Sequence, residues 1–194
     1  MYNQRVTEKG ALQQALLQRS LLEMLETVPF EKITVINLCE HAGLSRKTFY
    51  RLFTDKTDAL YALVDQTITN YINFEYPDAI DTVEAPARMQ QFLAYWKSQK
   101  AFLDILNKNK MITVLFERSI DHIMNEDFST MQKFGAYEHP DAKEIILFRY
   151  SSILPLVVYW YKRGYHQSIP EMAALMCQLL TNPLPHLPDD SSQK

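Results

Sequence analysis

The scarcity of glycine constrains the fold of this chain most strongly. Only four glycines occur among its 194 residues, and a β-sandwich or a doubly wound sheet needs more of them for its turns. Apolar residues make up 47% of the chain and charged residues 22%, so a core can form and global disorder is excluded. The chain is therefore predicted to be all-α.

Apolar residues recur at helical spacing along most of the chain, which supports this fold class. The stretch 112–116 taken alone would also suit a strand, but the apolar positions that follow it favour a helix. The predicted helices cover about 11–28, 35–41, 46–52, 55–73, 85–98, 100–107, 110–134, 140–164 and 169–179.

Several function classes have no support in the sequence. The two cysteines, Cys39 and Cys177, have no partners at metal-ligand spacing, and the five histidines are scattered, so neither a metal site nor a cofactor is expected. No glycine-rich phosphate loop or nucleophile elbow occurs, so we do not expect an enzyme. The N-terminus leads to no apolar signal segment, and the apolar run 153–161 is too short to span a bilayer, so we expect a cytoplasmic protein.

The segment from Thr34 to Lys56 has the pattern of a helix-turn-helix motif. Thr34 is suited to cap a short helix, Gly43 to end it, and Ser45 to cap a second short helix. Two short helices joined by a three-residue turn with glycine are typical of this motif.

The second short helix has two chemically different faces. At about 100° per residue, Phe49, Leu52 and Phe53 fall on one side, with Thr48 at its margin. The opposite side carries two kinds of group, three cations and a phenol: Arg46, Lys47, Arg51 and Tyr50. The apolar face can dock into the domain while the cationic face enters a DNA major groove, which admits a helix.

The neighbouring helix ends can add contacts to the DNA backbone. Lys56 lies in the first turn of the following helix, where its charge would add to exposed backbone N–H groups that bind phosphate. Thr34 could contact the other backbone strand through its N–H group while its side chain caps the helix. The predicted DNA-binding residues are Thr34, Arg46, Lys47, Thr48, Tyr50, Arg51 and Lys56. Residues 1–56 carry net charge +2 and the remainder −5, which agrees with this placement.

The segment 11–65 resembles the DNA-binding domain of the TetR family, the tetracycline-repressor-like regulators of bacteria. The residues that carry the resemblance are Thr34, Ala42, Gly43, Leu44, Ser45, Thr48, Phe49, Tyr50, Phe53, Lys56 and Leu60. Many members have glycine or another small residue where Lys47 stands, so this lysine implies a different base preference. The runs 159–164 and 168–172 are similar to a C-terminal subtype of low-GC Gram-positive regulators, some of which look like activators that work with partner proteins.

The resemblance implies an N-terminal three-helix DNA-binding domain, joined by a long helix to a C-terminal helical domain for dimerisation and effector binding. We place the DNA-binding domain at 1–55, the second domain at 56–184 and a mobile tail at 185–194. Aromatic residues of the second domain suit either a core or an apolar effector pocket, for which the candidates are Tyr95, Trp96, Phe116 and Tyr150. Two apolar stripes suit either a core or a dimer interface, and its candidates are Leu154, Val158, Tyr161, Met172, Leu175, Met176 and Leu179.

Together these features predict a homodimeric transcriptional regulator that binds a double-stranded, pseudopalindromic operator. The expected activity is repression, relieved by a small apolar effector. The alternative is a protein-interaction subunit or co-activator on the same fold, which acts mainly through a partner protein.

Overall fold

The computed structural model describes residues 7–75, 85–125 and 140–181. Within these ranges every regular element is a helix, as predicted, and the stretch 112–116 is helical rather than extended. The α-helices are α1 (Glu8–Leu25), α2 (Val35–Ala42), α3 (Arg46–Leu52), α4 (Lys56–Glu75), α5 (Ala85–Ser98), α6 (Lys100–Lys108), α7 (Ile112–Asn125), α8 (Ala142–Lys162) and α9 (Ile169–Thr181). A short 3-10 helix, Phe30–Lys32, lies between α1 and α2. The predicted mobile tail and the predicted helical residues 126–134 lie outside the described residues.

The chain divides into two compact units, and the first comprises residues 1–72 and 101–122. In it, α1 packs on α2 and α3. Leu17, Leu21 and Leu25 of α1 recur at helical spacing and are almost fully buried, as is Phe49 of α3. This apolar burial is the main force that holds the three helices together.

The turn between α2 and α3 depends on a left-handed residue. Gly43 has φ 65° and ends α2, and the N–H of Leu44 donates to the carbonyl of Cys39 at 2.9 Å. This backbone conformation is strained for residues with a Cβ atom. Ser45 then caps α3 by accepting from the N–H of Thr48 at 3.1 Å. The predicted turn is therefore confirmed.

A buried ion pair joins α4 and α7 in the same unit. Arg118 donates to both carboxylate oxygens of Asp65 at 2.8 Å and to Asp121 at 2.7 Å. Its guanidinium lies 5.0 Å from the ring centroid of Tyr61, whose hydroxyl donates to Glu117 at 3.1 Å. The Asp65 side chain is only 8% exposed, so its carboxylate has lost most of its hydration. The bidentate pairing with Arg118 compensates this loss.

The second unit comprises residues 73–100 and 123–194. Here α9 packs along α5, and α5 also contacts α8. Trp160 of α8 is fully buried, and its indole N–H donates to the carbonyl of Gln167 at 3.0 Å. The ammonium of Lys97 lies 5.7 Å from the Trp160 ring and 5.4 Å from the Tyr165 ring, which adds cation–π attraction to the packing.

These units group residues by their packing, whereas the domains predicted from the sequence are functional divisions. α4, α6 and α7 fall in the predicted second domain, 56–184, but most of their residues share a unit with α1, α2 and α3. The functional division at residue 55 stays a prediction.

Candidate nucleic-acid interface

The helix α3 is oriented as its sequence predicts. Phe49 and Leu52 are buried, and the rings of Phe49 and Phe53 lie 5.6 Å apart. The four side chains of the opposite face are all exposed, namely Arg46, Lys47, Tyr50 and Arg51. Tyr50 is 54% exposed, although its ring edge meets Phe49 at 5.4 Å between centroids. The outcome is a rod of seven residues with an anchored apolar face and a cationic outer face.

Thr34 is the N-cap of α2, as expected, but its backbone N–H is already bonded. Its side-chain oxygen accepts from the N–H of Asn37 at 3.2 Å, and the Asn37 side chain accepts from the N–H of Thr34 at 2.8 Å. This reciprocal arrangement is a capping box. Because the Thr34 N–H is bonded within the chain, the hydroxyl hydrogen is the donor that remains for a phosphate, and the phosphate contact of Thr34 stays a prediction.

Thr48 lies at the margin of the cationic face, half-buried. Its hydroxyl is 3.0 Å from the Ser45 hydroxyl, and its N–H bonds the same Ser45 oxygen. The two hydroxyls therefore fix the first turn of α3.

Arg51 is exposed but not isolated. Its guanidinium donates to the side-chain carbonyl of Gln13 on α1, a residue 38 positions earlier in the chain. The hydrogen bond gives Arg51 a defined direction on the cationic face, since a long side chain otherwise samples many rotamers.

Lys56 is the residue whose observed role differs most from its predicted one. Its ammonium donates to the carbonyls of Phe30 at 2.8 Å, Glu31 at 3.2 Å and Ile33 at 2.8 Å. It also lies 4.6 Å from the centroid of the Phe30 ring. An ammonium has three donor hydrogens, and here all of them are directed at the 3-10 helix and the residue after it. The side chain therefore secures the segment that leads into α2. The phosphate contact predicted for Lys56 stays a prediction.

The expected anion site at the start of α4 is also partly filled. The Asp55 carboxylate accepts from the N–H groups of Thr57 at 2.7 Å and Asp58 at 2.9 Å. Two of the N–H groups that a phosphate would use are thus bonded within the protein, and a phosphate would meet the negative charge of Asp55.

Sequence reasoning missed Gln13 and Asn37, which position the candidate interface. The spacing Thr34-x-x-Asn37 is a variant of the capping-box pattern and could have indicated that the Thr34 N–H is bonded. Gln13 carries no local signal, because its partner is distant in sequence.

The four candidate pocket residues divide between the two units. Tyr95 and Trp96 are neighbours on α5 with ring centroids 5.7 Å apart, whereas Phe116 lies on α7 in the other unit. The side chain of Tyr150 lies outside the described residues. Burial raises the pKa of Tyr95 to about 12, and Trp96 is 3% exposed.

Most candidate interface residues are already buried within one chain. This holds for Leu154, Val158, Tyr161, Met172 and Met176. They expose almost no surface that a second copy could cover. For Met172 and Met176 the covering element is α5, on which α9 packs. Leu175, at 36% exposure, and the half-buried Leu179 are the two that retain accessible surface.

No group of three or more histidine, cysteine or acidic side chains within the described ranges could hold a metal ion. None of the described helices is long and apolar enough to cross a membrane.

Comparisons with known proteins place the fold. No family model matches the chain, and no curated protein sequence matches it. Among solved structures, it is similar to the fatty acid degradation regulator FadR from Bacillus halodurans, with TM-score 0.56, 12% identity, and coverage of 90% of this chain and 97% of that one.

Two further structures are similar over comparable lengths. One is the dihydroxyacetone kinase operon activator DhaS, with TM-score 0.51, 17% identity, and coverage of 88% and 95% of the two chains. The other is a TetR-family transcriptional regulator from Haemophilus influenzae, with TM-score 0.51, 12% identity, and coverage of 90% and 98%. These neighbours are transcriptional regulators rather than enzymes. The chain has the fold of the TetR-family transcriptional regulators.

Proposed function

We propose that this chain is a homodimeric, DNA-binding transcriptional regulator that binds a pseudopalindromic operator. The observation that carries the proposal is the exposed cationic face of α3, held in place by the buried Phe49 and Leu52. A helix of this width fits the B-DNA major groove, and α1 and α2 support it from behind.

The exposed side chains divide between bases and backbone. Arg46 and Lys47 begin α3, and the first residues of such a helix are those that reach base edges. The hydroxyls of Tyr50 and Thr34 donate to phosphates, which fix the register without reading sequence. Arg51, directed by Gln13, supplies a further cationic contact.

We call α3 the reader helix. A second copy of the chain completes the regulator, because two reader helices about 34–36 Å apart fit successive turns of one DNA face. The exposed face of α8 supports this dimer. Phe148 is 68% exposed and Tyr159 55%, and they share that face with the exposed Pro155. Aromatic side chains exposed along one helix favour an interface with another protein surface, and Leu175 of α9 can extend it.

We further propose that a small, largely apolar effector controls DNA binding. Tyr95 and Trp96 support a site on α5, and the buried indole N–H of Trp96 has no hydrogen-bond partner among the described residues. An effector with one acceptor oxygen would satisfy that donor. A ligand that favours another separation of the two readers, by tilting α4, weakens DNA binding through linkage.

Repression, by occupation of a promoter, is the activity we propose first. A partner-dependent activator on the same fold is the second candidate, and the similarity to an operon activator favours it. Transcription in vitro from the operator-bearing promoter separates the two, since the purified protein alone would lower the yield of transcript in the first case only.

Fluorescence anisotropy on DNA from upstream of the chain's own gene tests the central proposal. Random DNA of equal length and a salt series provide the comparison. We expect binding to the upstream DNA to be at least about 10³-fold tighter than to random DNA. Equal and weak binding to both would contradict the proposal, and recovery of discrimination by a co-purifying protein would favour the second candidate.

A further inference from the structure

Residue Asn109, just after α6, makes a hydrogen-bond set that reaches the start of the candidate interface. Its side-chain oxygen accepts from the N–H of Phe30 at 3.1 Å. Its amide nitrogen donates to the carbonyl of Leu25 at 3.2 Å and to that of Ile105 at 2.9 Å. The amide therefore uses its acceptor and both donors, so only one orientation satisfies all three bonds.

Phe30 is bonded from two sides by residues far from it in sequence. Its N–H goes to Asn109, 79 positions later, and its carbonyl accepts from the Lys56 ammonium at 2.8 Å. The same ammonium lies over the Phe30 ring. The neighbouring Lys108 adds a bond of 2.6 Å to the carbonyl of Glu26. The segment between α1 and α2 is thus held at both of its ends.

The fixed segment leads directly into α2. Ile33, whose carbonyl also accepts from Lys56, precedes the N-cap Thr34, and α2 in turn packs on α3. A change in the position of Phe30 therefore changes where α2 begins and how α3 is presented.

We propose that Asn109 is a positioning residue for the nucleic-acid interface, acting through Phe30 and Lys56 without touching DNA. The inference rests on the proposed function. It assigns a role in DNA affinity to a residue more than fifty positions beyond the reader helix, at the end of a helix outside the helix-turn-helix motif. A change at the turn between α6 and α7 then alters the position of α3 through the hydrogen bonds of Asn109 and Lys56 to Phe30.

The test compares Asn109→Leu with Asn107→Leu, a matched control. Asn107 is exposed on the same turn of α6, and no hydrogen bond of its side chain is formed with the described residues. Operator affinity is measured by anisotropy over a salt series. We expect Asn109→Leu to weaken operator binding about three- to tenfold, with the salt slope of the wild type, and Asn107→Leu to bind as the wild type.

The salt slope separates positioning from contact. Loss of a direct phosphate contact would lower the slope by about 0.9 per site. A lowered slope for Asn109→Leu, or wild-type affinity, would overturn the inference. If the wild type fails to discriminate operator from random DNA, the proposed function fails and the inference with it. If the wild type discriminates operator from random DNA but Asn109→Leu binds the operator as tightly as the wild type does, the inference alone fails.

Two further measurements follow the path through Phe30. Hydrogen exchange of the Phe30 amide should be faster in Asn109→Leu than in Asn107→Leu, because its acceptor is gone. The double variant Asn109→Leu/Lys56→Met should lose less operator affinity than the product of the two single-variant fold-losses, because both residues act through Phe30. A loss equal to that product would overturn the shared path.

Should circular dichroism show that Asn109→Leu does not fold, Asn109→Asp replaces it as the test, since aspartate keeps an acceptor for the Phe30 N–H and loses both donors. We expect Asn109→Asp to lose less operator affinity than the loss expected for Asn109→Leu, and an operator affinity equal to that of the wild type would overturn the inference.

Discussion

The ammonium of Lys56 lies 2.8 Å from the carbonyl oxygen of Ile33, the residue immediately before the N-cap of α2. One side chain at the start of α4 thereby satisfies three carbonyls between residues 30 and 33. The local geometry makes Lys56 a part of the scaffold beneath the reader, whereas Lys47 projects from the reader itself.

This contrast predicts that only one of the two lysines contributes to the free energy of unfolding. Lys56→Met should lower the free energy of unfolding by about 1–3 kcal/mol, because partly buried carbonyls lose their donor. Lys47→Met should leave that free energy within about 0.5 kcal/mol of the wild type but lower affinity for the operator more than for random DNA. Urea denaturation and anisotropy measure the two quantities. Unchanged stability in Lys56→Met would contradict the scaffold role.

The ion pair between Asp65 and Arg118 predicts a large effect on stability. Arg118→Ala leaves the buried Asp65 carboxylate uncompensated and should cost about 3–5 kcal/mol. The exposed pair Arg19–Glu23, with side chains 78% and 44% exposed, is the control, and Arg19→Ala should cost at most about 1 kcal/mol. Urea unfolding of the two variants measures the difference, and equal costs would show that burial of Asp65 does not matter.

The exposed aromatic face of α8 predicts which surface substitution separates the dimer. Phe148→Glu places a charge on the proposed interface and should give a monomer in analytical ultracentrifugation, with the helix content unchanged. Leu12, 64% exposed on α1, provides the control, and Leu12→Glu should remain a dimer. Dissociation of both variants, or of neither, would argue against α8 as the interface.

Tyr95 predicts a loss of stability at high pH. Burial raises its pKa to about 12 in the folded chain, against about 10 in the unfolded chain. The unfolded chain therefore loses the proton first, so stability is complete below about pH 10 and falls as pH rises towards 12. The pKa of Tyr61 is raised too, mainly by its hydrogen bond to Glu117, and contributes in the same direction.

Urea unfolding at several pH values between about 9 and 12 measures this dependence. Tyr95→Phe should flatten the decline relative to the wild type, while Tyr61→Phe should flatten it less because the pKa of Tyr61 is raised by a smaller amount. A wild-type decline that Tyr95→Phe reproduces unchanged would show that Tyr95 is not its source.

Local patterns predicted the parts of this fold that local chemistry determines. The orientation of α3 follows from the helical period of Phe49 and Leu52, and the turn from the left-handed preference of Gly43. The partners of Lys56 and Arg51 were beyond such reasoning. Their acceptors lie 23 to 38 positions away, and only the packing of α1 and the 3-10 helix brings them within reach.

The dimer stripes were ambiguous for a related reason. Periodicity locates an apolar face such as Met172 and Met176, but it does not show which surface covers that face. In the structure α5 covers it, so exposed apolar residues, including Phe148 and Tyr159, became the better guide to an interface.

The two helices of the helix-turn-helix motif are short: α2 has eight residues and α3 seven. Helices below about 12 residues are marginal in water on their own, even with good caps, so residues 34–56 as an isolated peptide would be largely unfolded. The reader therefore exists only while its unit is folded, and any DNA that binds it selects the folded chain. Operator binding should consequently raise the temperature at which the chain unfolds, so that thermal unfolding alone can rank candidate operators.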